Sequence, residues 1–188
     1  MLIQKTDPMG IDVAIQALQD KLYAGVINQW GIQGSKYKCY ARCYRNRKEA
    51  GYVAENYEGN KEYKEVYHDD ALYASSFFGI SDNIEISEAN TAAVHLIMFV
   101  NLDMVKPTAE QRADEEVRTE VCNILDAGLS HSVVRSVDLT VERVLREYRG
   151  SLRDDRLKNI DMHPVHCFRV NLELVYENIN NCNSFSNI

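Results

Sequence analysis

Every second residue along "FRVNLELVY", residues 168–176, is apolar, and Arg169, Asn171 and Glu173 lie between them. A two-residue period is typical of a β-strand with one buried face. The stretch "TAAVHLIMFVNLDMV", residues 91–105, is apolar on both alternating faces, which indicates a strand covered on one side and partly covered on the other. The tetrapeptides "VNLD" and "VNLE" within these stretches also echo each other. We therefore expect two long strands that pair antiparallel in one sheet.

Two further stretches place apolar residues at the three- and four-residue spacing of an amphipathic helix. The first is expected to begin at residues 7–8, an aspartate cap followed by a first-turn proline, and to end at Gly31. The second is expected to begin after Pro107, where Thr108 and Gln111 have the spacing of a capping box, and to end near Gly128. The two apolar stripes are Ile11, Ile15, Leu18, Leu22, Val26 and Trp30, and Ala113, Val117, Val121, Ile124 and Leu125.

Residues 37–80 predict a β-meander with polar turns, and nine of the eleven tyrosines lie between Tyr23 and Tyr73. Tyrosine combines apolar area with a polar hydroxyl, which suits half-exposed sheets and interfaces. Residues 132–148 predict a short strand followed by a helix that runs to Tyr148. The meander is therefore expected to be a tyrosine-rich elaboration of a larger sheet.

The order of these elements predicts an α+β fold, in which an antiparallel sheet carries helices on one face. Residues 1–176 are expected to form this single domain, with residues 37–80 as its meander. Ile97 and Phe99 lie on the sheet face that the helices leave bare, so a partner subunit or the meander must cover them. The last twelve residues, 177–188, hold five asparagines and few apolar groups. We expect them to form a polar arm held by another chain.

The composition fits a globular protein that needs no disulfide bond to be stable. The 188 residues are enough for one domain with its own core. Five scattered cysteines suit free thiols in a reducing cytosol, and neither a signal peptide nor a membrane span is expected.

The formal net charge is −7, which argues against a protein that wraps nucleic acid. The charges are nevertheless clustered along the chain. We hypothesise that acidic residues of one copy contact basic residues of the next copy, while ordinary solvated faces are the alternative. The acidic set is Asp114, Glu115 and Glu116, and the basic set is Arg143, Arg146 and Arg149.

Candidate chemistry is sparse. His163, His166 and Cys167 resemble the start of a metal site, but structural zinc needs four convergent ligands and no second pair completes the set. Pairing of Cys39 with His68 has no supporting motif. We therefore predict no enzymatic activity, no cofactor and no metal. A small thiol- or metal-dependent enzyme, or a monomeric adaptor module, stays open as an alternative.

Several short segments give the chain a family resemblance. They resemble a neck protein of crAss-like bacteriophages, which infect gut Bacteroides, and the order of elements is similar to tail-terminator and tail-completion proteins of tailed phages. The segments are "MLIQKTDPMGID", "RCYRN", "EYKEVYHDD", "SFFG", "VHLIMFVNLD", "RADEEVR" and "HPVHCFRVNLELVY".

The resemblance implies a structural protein of the virion, made in the host cytoplasm. Its copies would form a ring of twelve, or alternatively six, at the portal–tail junction. The ring would contact the portal protein and adjacent neck or tail rings, and genomic DNA would pass through its channel without specific binding. The resemblance implies no catalytic residue.

Overall fold

The computed structural model describes residues 1–86, 89–127, 131–151 and 162–177, with only the backbone for residues 82–83. Its helices and strands confirm the predicted α+β class. In chain order the elements are β1 (Leu2–Ile3), α1 (Ile11–Trp30), a 3-10 turn (Gly34–Lys36), β2 (Tyr37–Arg42), β3 (Tyr44–Lys48), β4 (Gly51–Gly59), β5 (Glu62–Glu65), β6 (Ala74–Glu85), β7 (Asn90–Asn101), α2 (Leu102–Val105), α3 (Asp114–Asp126), β8 (Ser132–Asp138), α4 (Val141–Val144) and β9 (Val165–Tyr176).

The central sheet has the strand order β1-β2-β6-β7-β9-β8. The two long strands β7 and β9 pair antiparallel along twelve residues, with Leu96 opposite Val170, as the alternation predicted. The sheet is mixed rather than wholly antiparallel, because β2 runs parallel to both β1 and β6. Side chains of paired residues point to the same face, so this register decides which residues of β7 and β9 share a core.

The two longer helices, α1 and α3, cover one face of this sheet. Their apolar stripes bury Leu18 and Val121 against Leu96 and Phe168, all with 0% exposure. Gly31 ends α1 as predicted, in a left-handed conformation with its N–H bonded to the carbonyl of Ile27. Periodicity alone therefore identified the helix stripes and the faces of the long strands that meet in the larger core, but not the residues of β2 and β6 that also belong to it.

Both predicted helix starts are wrong. The α1 helix is preceded by Gly10 instead of the aspartate cap at residue 7. The α3 helix begins at Asp114, and Thr108 and Gln111 are exposed residues of the preceding turn. Short capping motifs also occur outside helices, so Asp7 and Thr108 indicate a helix start less reliably than the apolar stripe indicates the helix itself. The predicted stop at Gly128 lies outside the described residues.

The meander is shorter than predicted. Only β3, β4 and β5, residues 44–65, form a separate three-stranded sheet, while β2 and β6 lie inside the central sheet. The predicted helix after β8 is also reduced to the single turn α4, although Tyr148 beyond it is still buried. Local alternation is the same for strands in either sheet, so it does not indicate which strands are neighbours.

The prediction that Ile97 and Phe99 contact another subunit is wrong. Their exposed fractions are 0% and 2%, because the small sheet and the segment around α4 cover them within the same chain. The second core around them also contains Tyr40, Cys43, Ala54, Val66, Phe77, Val144, Leu145, Tyr148 and Cys167. The sequence analysis left two possibilities for covering these residues, a partner subunit or the meander, and the structure shows the meander. The polar arm of residues 178–188 lies outside the described residues.

Candidate subunit-contact surfaces

The predicted acidic residues lie together in the first turn of α3 and form what we call the acidic surface: Asp114, Glu115 and Glu116. Carboxylates in the first helical turn interact favourably with the helix dipole. Arg118 pairs with Glu115 and lies 3.6 Å from Asp114, and Lys106 lies 2.6 Å from Glu116. The side chains of Glu115 and Glu116 are still 78% and 56% exposed. The acidic surface is thus partly compensated within the chain but open to a partner.

The predicted basic residues form a second exposed surface, the basic surface: Arg143, Arg146 and Arg149. Arg146 lies 3.5 Å from Asp138 and 3.1 Å from Glu147. No carboxylate of the described residues lies within ion-pair distance of Arg143 or Arg149. The basic surface therefore carries positive charge that the described chain does not neutralise.

The two charged surfaces lie on opposite faces of the central sheet. The α3 helix packs through Val117 and Val121 into the larger core. The basic segment packs through Val144 and Tyr148 into the second core on the other face. The sequence predicted both charge clusters, but only the strand pairing places them on opposite faces.

A buried ion pair holds the basic segment against the sheet. Arg169 of β9 has 0% exposure, and both of its terminal nitrogens donate hydrogen bonds to the Glu147 carboxylate. It also donates to Ser81 and Asn171, each at 2.7 Å. Burial raises the pKa of Glu147, but the hydrogen bonds and positive charge of Arg169, together with smaller contributions from His95 and Arg146, hold that pKa below its ordinary value. Glu147 therefore stays ionised beneath the basic surface.

Alternation along β9 put Arg169 on the polar side, where an exposed side chain is the ordinary expectation. The residue is buried because it lies opposite Ile97, at the margin of the second core. The burial of Arg169 could have been inferred from β7, whose two faces are both apolar, because a strand next to such a strand is also covered on both sides.

His95 extends this polar cluster into the sheet. Its Nδ1 lies 2.9 Å from the Ser81 hydroxyl and its Nε2 lies 3.1 Å from the Tyr148 hydroxyl. Gly79 leaves room for the contact, since a Cβ there would lie 2.4 Å from the His95 ring. Burial, with a smaller contribution from Arg169, lowers the pKa of His95 to about 3. A base with that pKa accepts protons poorly near neutral pH, so the Ser81–His95 contact favours a structural role over nucleophile activation.

The buried imidazole makes stability depend on pH. The unfolded chain binds a proton at His95 below about pH 6.5, whereas the native state stays neutral there down to about pH 3. Stability should therefore fall as the pH falls through this window. Between about pH 6.5 and pH 5, the wild-type chain should lose about 1–2 kcal/mol more unfolding free energy than a His95→Gln variant.

Urea unfolding of both chains at several pH values measures this difference. Glu147, Arg146 and Arg169 face His95 in both chains, so their own effects largely cancel. Parallel pH profiles for the two chains would contradict the assignment of a buried neutral imidazole.

The histidines and cysteine that suggested a thiol or metal site do not converge. Cys167 is buried in the second core, whereas His166 follows the opposite face and stacks on Phe168. His163 is 52% exposed and lies 3.3 Å from Asp103. Among the described residues, no group of three or more His, Cys, Asp or Glu side chains is placed to hold a metal ion.

The other suggested pair, Cys39 and His68, is separated by the central sheet. Cys39 lies in the larger core, where burial raises the pKa of its thiol to about 11. His68 lies against Phe99 on the opposite side of the sheet. A protonated, buried thiol without an imidazole beside it is a poor nucleophile.

The edge strand β8 is protected against pairing with another strand. A bulge at Arg135 interrupts its register with β9, and the Asp126 carboxylate accepts a hydrogen bond from the Val134 N–H at 3.3 Å. Bulges and capped edge groups reduce edge-to-edge association. Contacts between copies are therefore expected to use side chains, as the charged surfaces would.

None of the helices in the described part of the chain is both long enough and apolar enough to cross a bilayer. Comparison with protein-family models gives no match, and a search of curated proteins likewise gives none.

Proposed function

We propose that the protein is a structural component of a tailed-phage virion that forms a ring at the portal–tail junction. The observation that carries this proposal is the placement of the acidic and basic surfaces on opposite faces of the central sheet. The resemblance to neck proteins of crAss-like phages supports it, as does a sheet with two long helices on one face, which is the arrangement that the resemblance implies.

A ring of identical subunits needs two different, complementary surfaces on each copy. Such head-to-tail contacts close into a ring when the rotation between copies permits. The acidic surface of one copy and the basic surface of the next supply opposite charges for this purpose. The net charge of −7 also suits a channel that lets DNA slide through without retaining it.

The charged contacts should be individually weak. Exposed ion pairs contribute about 0.2–1 kcal/mol each and are screened by salt. Part of the acidic surface is also already paired with Arg118 and Lys106. We therefore expect ring formation to need the portal or an adjacent ring as a template, with twelve copies favoured over six.

Charge reversal tests the lateral contact. The double variant Glu115→Lys/Glu116→Lys should fold normally but fail to form rings, because it places positive charge against the basic surface. Adding Arg143→Glu and Arg149→Glu in the same chain should restore rings, since every copy then carries both reversed surfaces. Electron microscopy of chains assembled on portal-containing particles measures the outcome.

The matched control is Glu49→Lys/Glu62→Lys, which makes the same change in net charge at exposed positions of the small sheet. It should leave ring formation intact. Unchanged assembly of the Glu115→Lys/Glu116→Lys chain would reject the proposed pairing of surfaces.

The broader proposal is tested by counting copies in purified virions with quantitative mass spectrometry. A fixed copy number of twelve, or six, per particle is expected. Absence of the chain from particles would overturn the proposed function and would favour a cytosolic adaptor module.

A further inference from the structure

An apolar groove lies between the first half of α1 and the ends of β8 and β9, with a volume of about 390 Å³. One wall is formed by Val13, Ala14 and Ala17 of α1, and the other by Leu174 and Tyr176 of β9. Val13 is 38% exposed, although it belongs to a helix that packs on the sheet. This volume is at the lower end of the range that binding pockets span.

One buried polar group of the groove lining lacks a hydrogen-bond partner among the described residues. Ser132 lines the groove with 7% exposure, and no described residue bonds its Oγ. Asn90, which is paired in register with Tyr176 but does not belong to the lining, has 4% exposure, and its Oδ1 likewise has no partner in the described part of the chain. Buried polar groups are almost always hydrogen-bonded in native proteins. The groove therefore fits an occupant with apolar side chains and a hydrogen-bonding group beside Ser132.

We propose that the groove of one copy binds residues 178–188 of the neighbouring copy. This segment carries Ile179, Phe185 and Ile188 among five asparagines, so it supplies apolar groups for the walls and amides for Ser132. The inference rests on the proposed function, because the contact between residues 178–188 and the groove would join neighbouring copies of the proposed ring.

Geometry favours the neighbour's segment over the chain's own. Glu177 itself lines the groove, so the chain's own segment would have to reverse direction at once and run back over Leu174. Eleven extended residues span about 36 Å. A compact chain of this length has a radius of gyration of about 16 Å, so the segment is long enough to cross to an adjacent copy.

The test places a photo-crosslinking benzoylphenylalanine at position 185 of the full chain, in rings assembled from equal parts of isotopically light and heavy protein. Cross-links should join residue 185 of one copy to residues 13–18 or 174–176 of another, giving mixed light–heavy peptides. The same probe at Tyr63, which is 47% exposed on the small sheet, should not reach the groove.

A substitution that fills the groove is compared with the same substitution away from the groove. Ala17→Trp should abolish the groove cross-link, whereas Ala24→Trp, at an exposed position further along α1, should retain it. Cross-links confined to single copies, or to surfaces away from the groove, would overturn the inference. Intact rings without the groove cross-link would reject the inference and leave the proposed function standing, whereas absence from virions would reject the function itself.

Discussion

Replacing Arg169 with methionine is expected to lower the free energy of unfolding by about 3–5 kcal/mol, because it removes the buried partner of the Glu147 carboxylate and leaves only the exposed Arg146 beside it. Arg169 is wholly buried, donates two hydrogen bonds to Glu147, and also bonds Ser81 and Asn171. A loss of this size is a large part of the total stability of an ordinary domain, about 5–15 kcal/mol. Urea unfolding followed by circular dichroism measures it.

The matched control is Arg135→Met, which removes an arginine whose side chain is 57% exposed and pairs with Glu173 at 2.8 Å. Its cost should stay below about 1 kcal/mol, as for other exposed ion pairs. Adding Glu147→Leu to Arg169→Met should recover much of the lost stability, since both charges are then gone. Equal costs for Arg169→Met and Arg135→Met would contradict a buried, segment-anchoring ion pair.

The variant Ile97→Ala should destabilise the isolated chain by about 2–5 kcal/mol, through lost apolar burial and the cavity left in the second core. Ile97 has 0% exposure and belongs to the second core, between the central sheet and the segment that carries Tyr148. Thermal and urea unfolding of the unassembled protein measure this change.

Ile86→Ala is the control, since Ile86 is 84% exposed and loses the same atoms from a solvated position. It should change stability by no more than about 0.5 kcal/mol. If Ile97→Ala left the isolated chain as stable as the wild type and impaired only assembly, the subunit-contact interpretation of Ile97 would be restored and the second core would be wrong.

The acidic and basic surfaces show what local sequence patterns can predict and what they cannot. The clusters at residues 114–116 and 143–149 are visible in the sequence because like charges are close along the chain. Whether two clusters oppose each other across a subunit depends on strand pairing between distant segments. The Arg169–Glu147 pair joins residues 22 positions apart in the chain, and no periodicity of either segment indicates that they meet.

The sequence by itself determined the elements whose signal is local. The buried stripes of α1 and α3 and the existence of the long strands β7 and β9 follow from periods of 3.6 and 2 residues, because each period places apolar side chains on one face. These periods also determined which face of β7 meets the helices, through Leu96 and Met98.

Only the tertiary structure decided which other strands join β7 and β9 in the central sheet and what covers the second face of that sheet. A strand has the same alternation in the central sheet as in the small one, so the placement of β2 and β6 depends on long-range hydrogen bonds rather than on their own residues. The burial of Ile97, Phe99 and Arg169 has the same origin. Each is covered by residues distant in the chain, and solvent exclusion is a property of the packed layers rather than of any one segment.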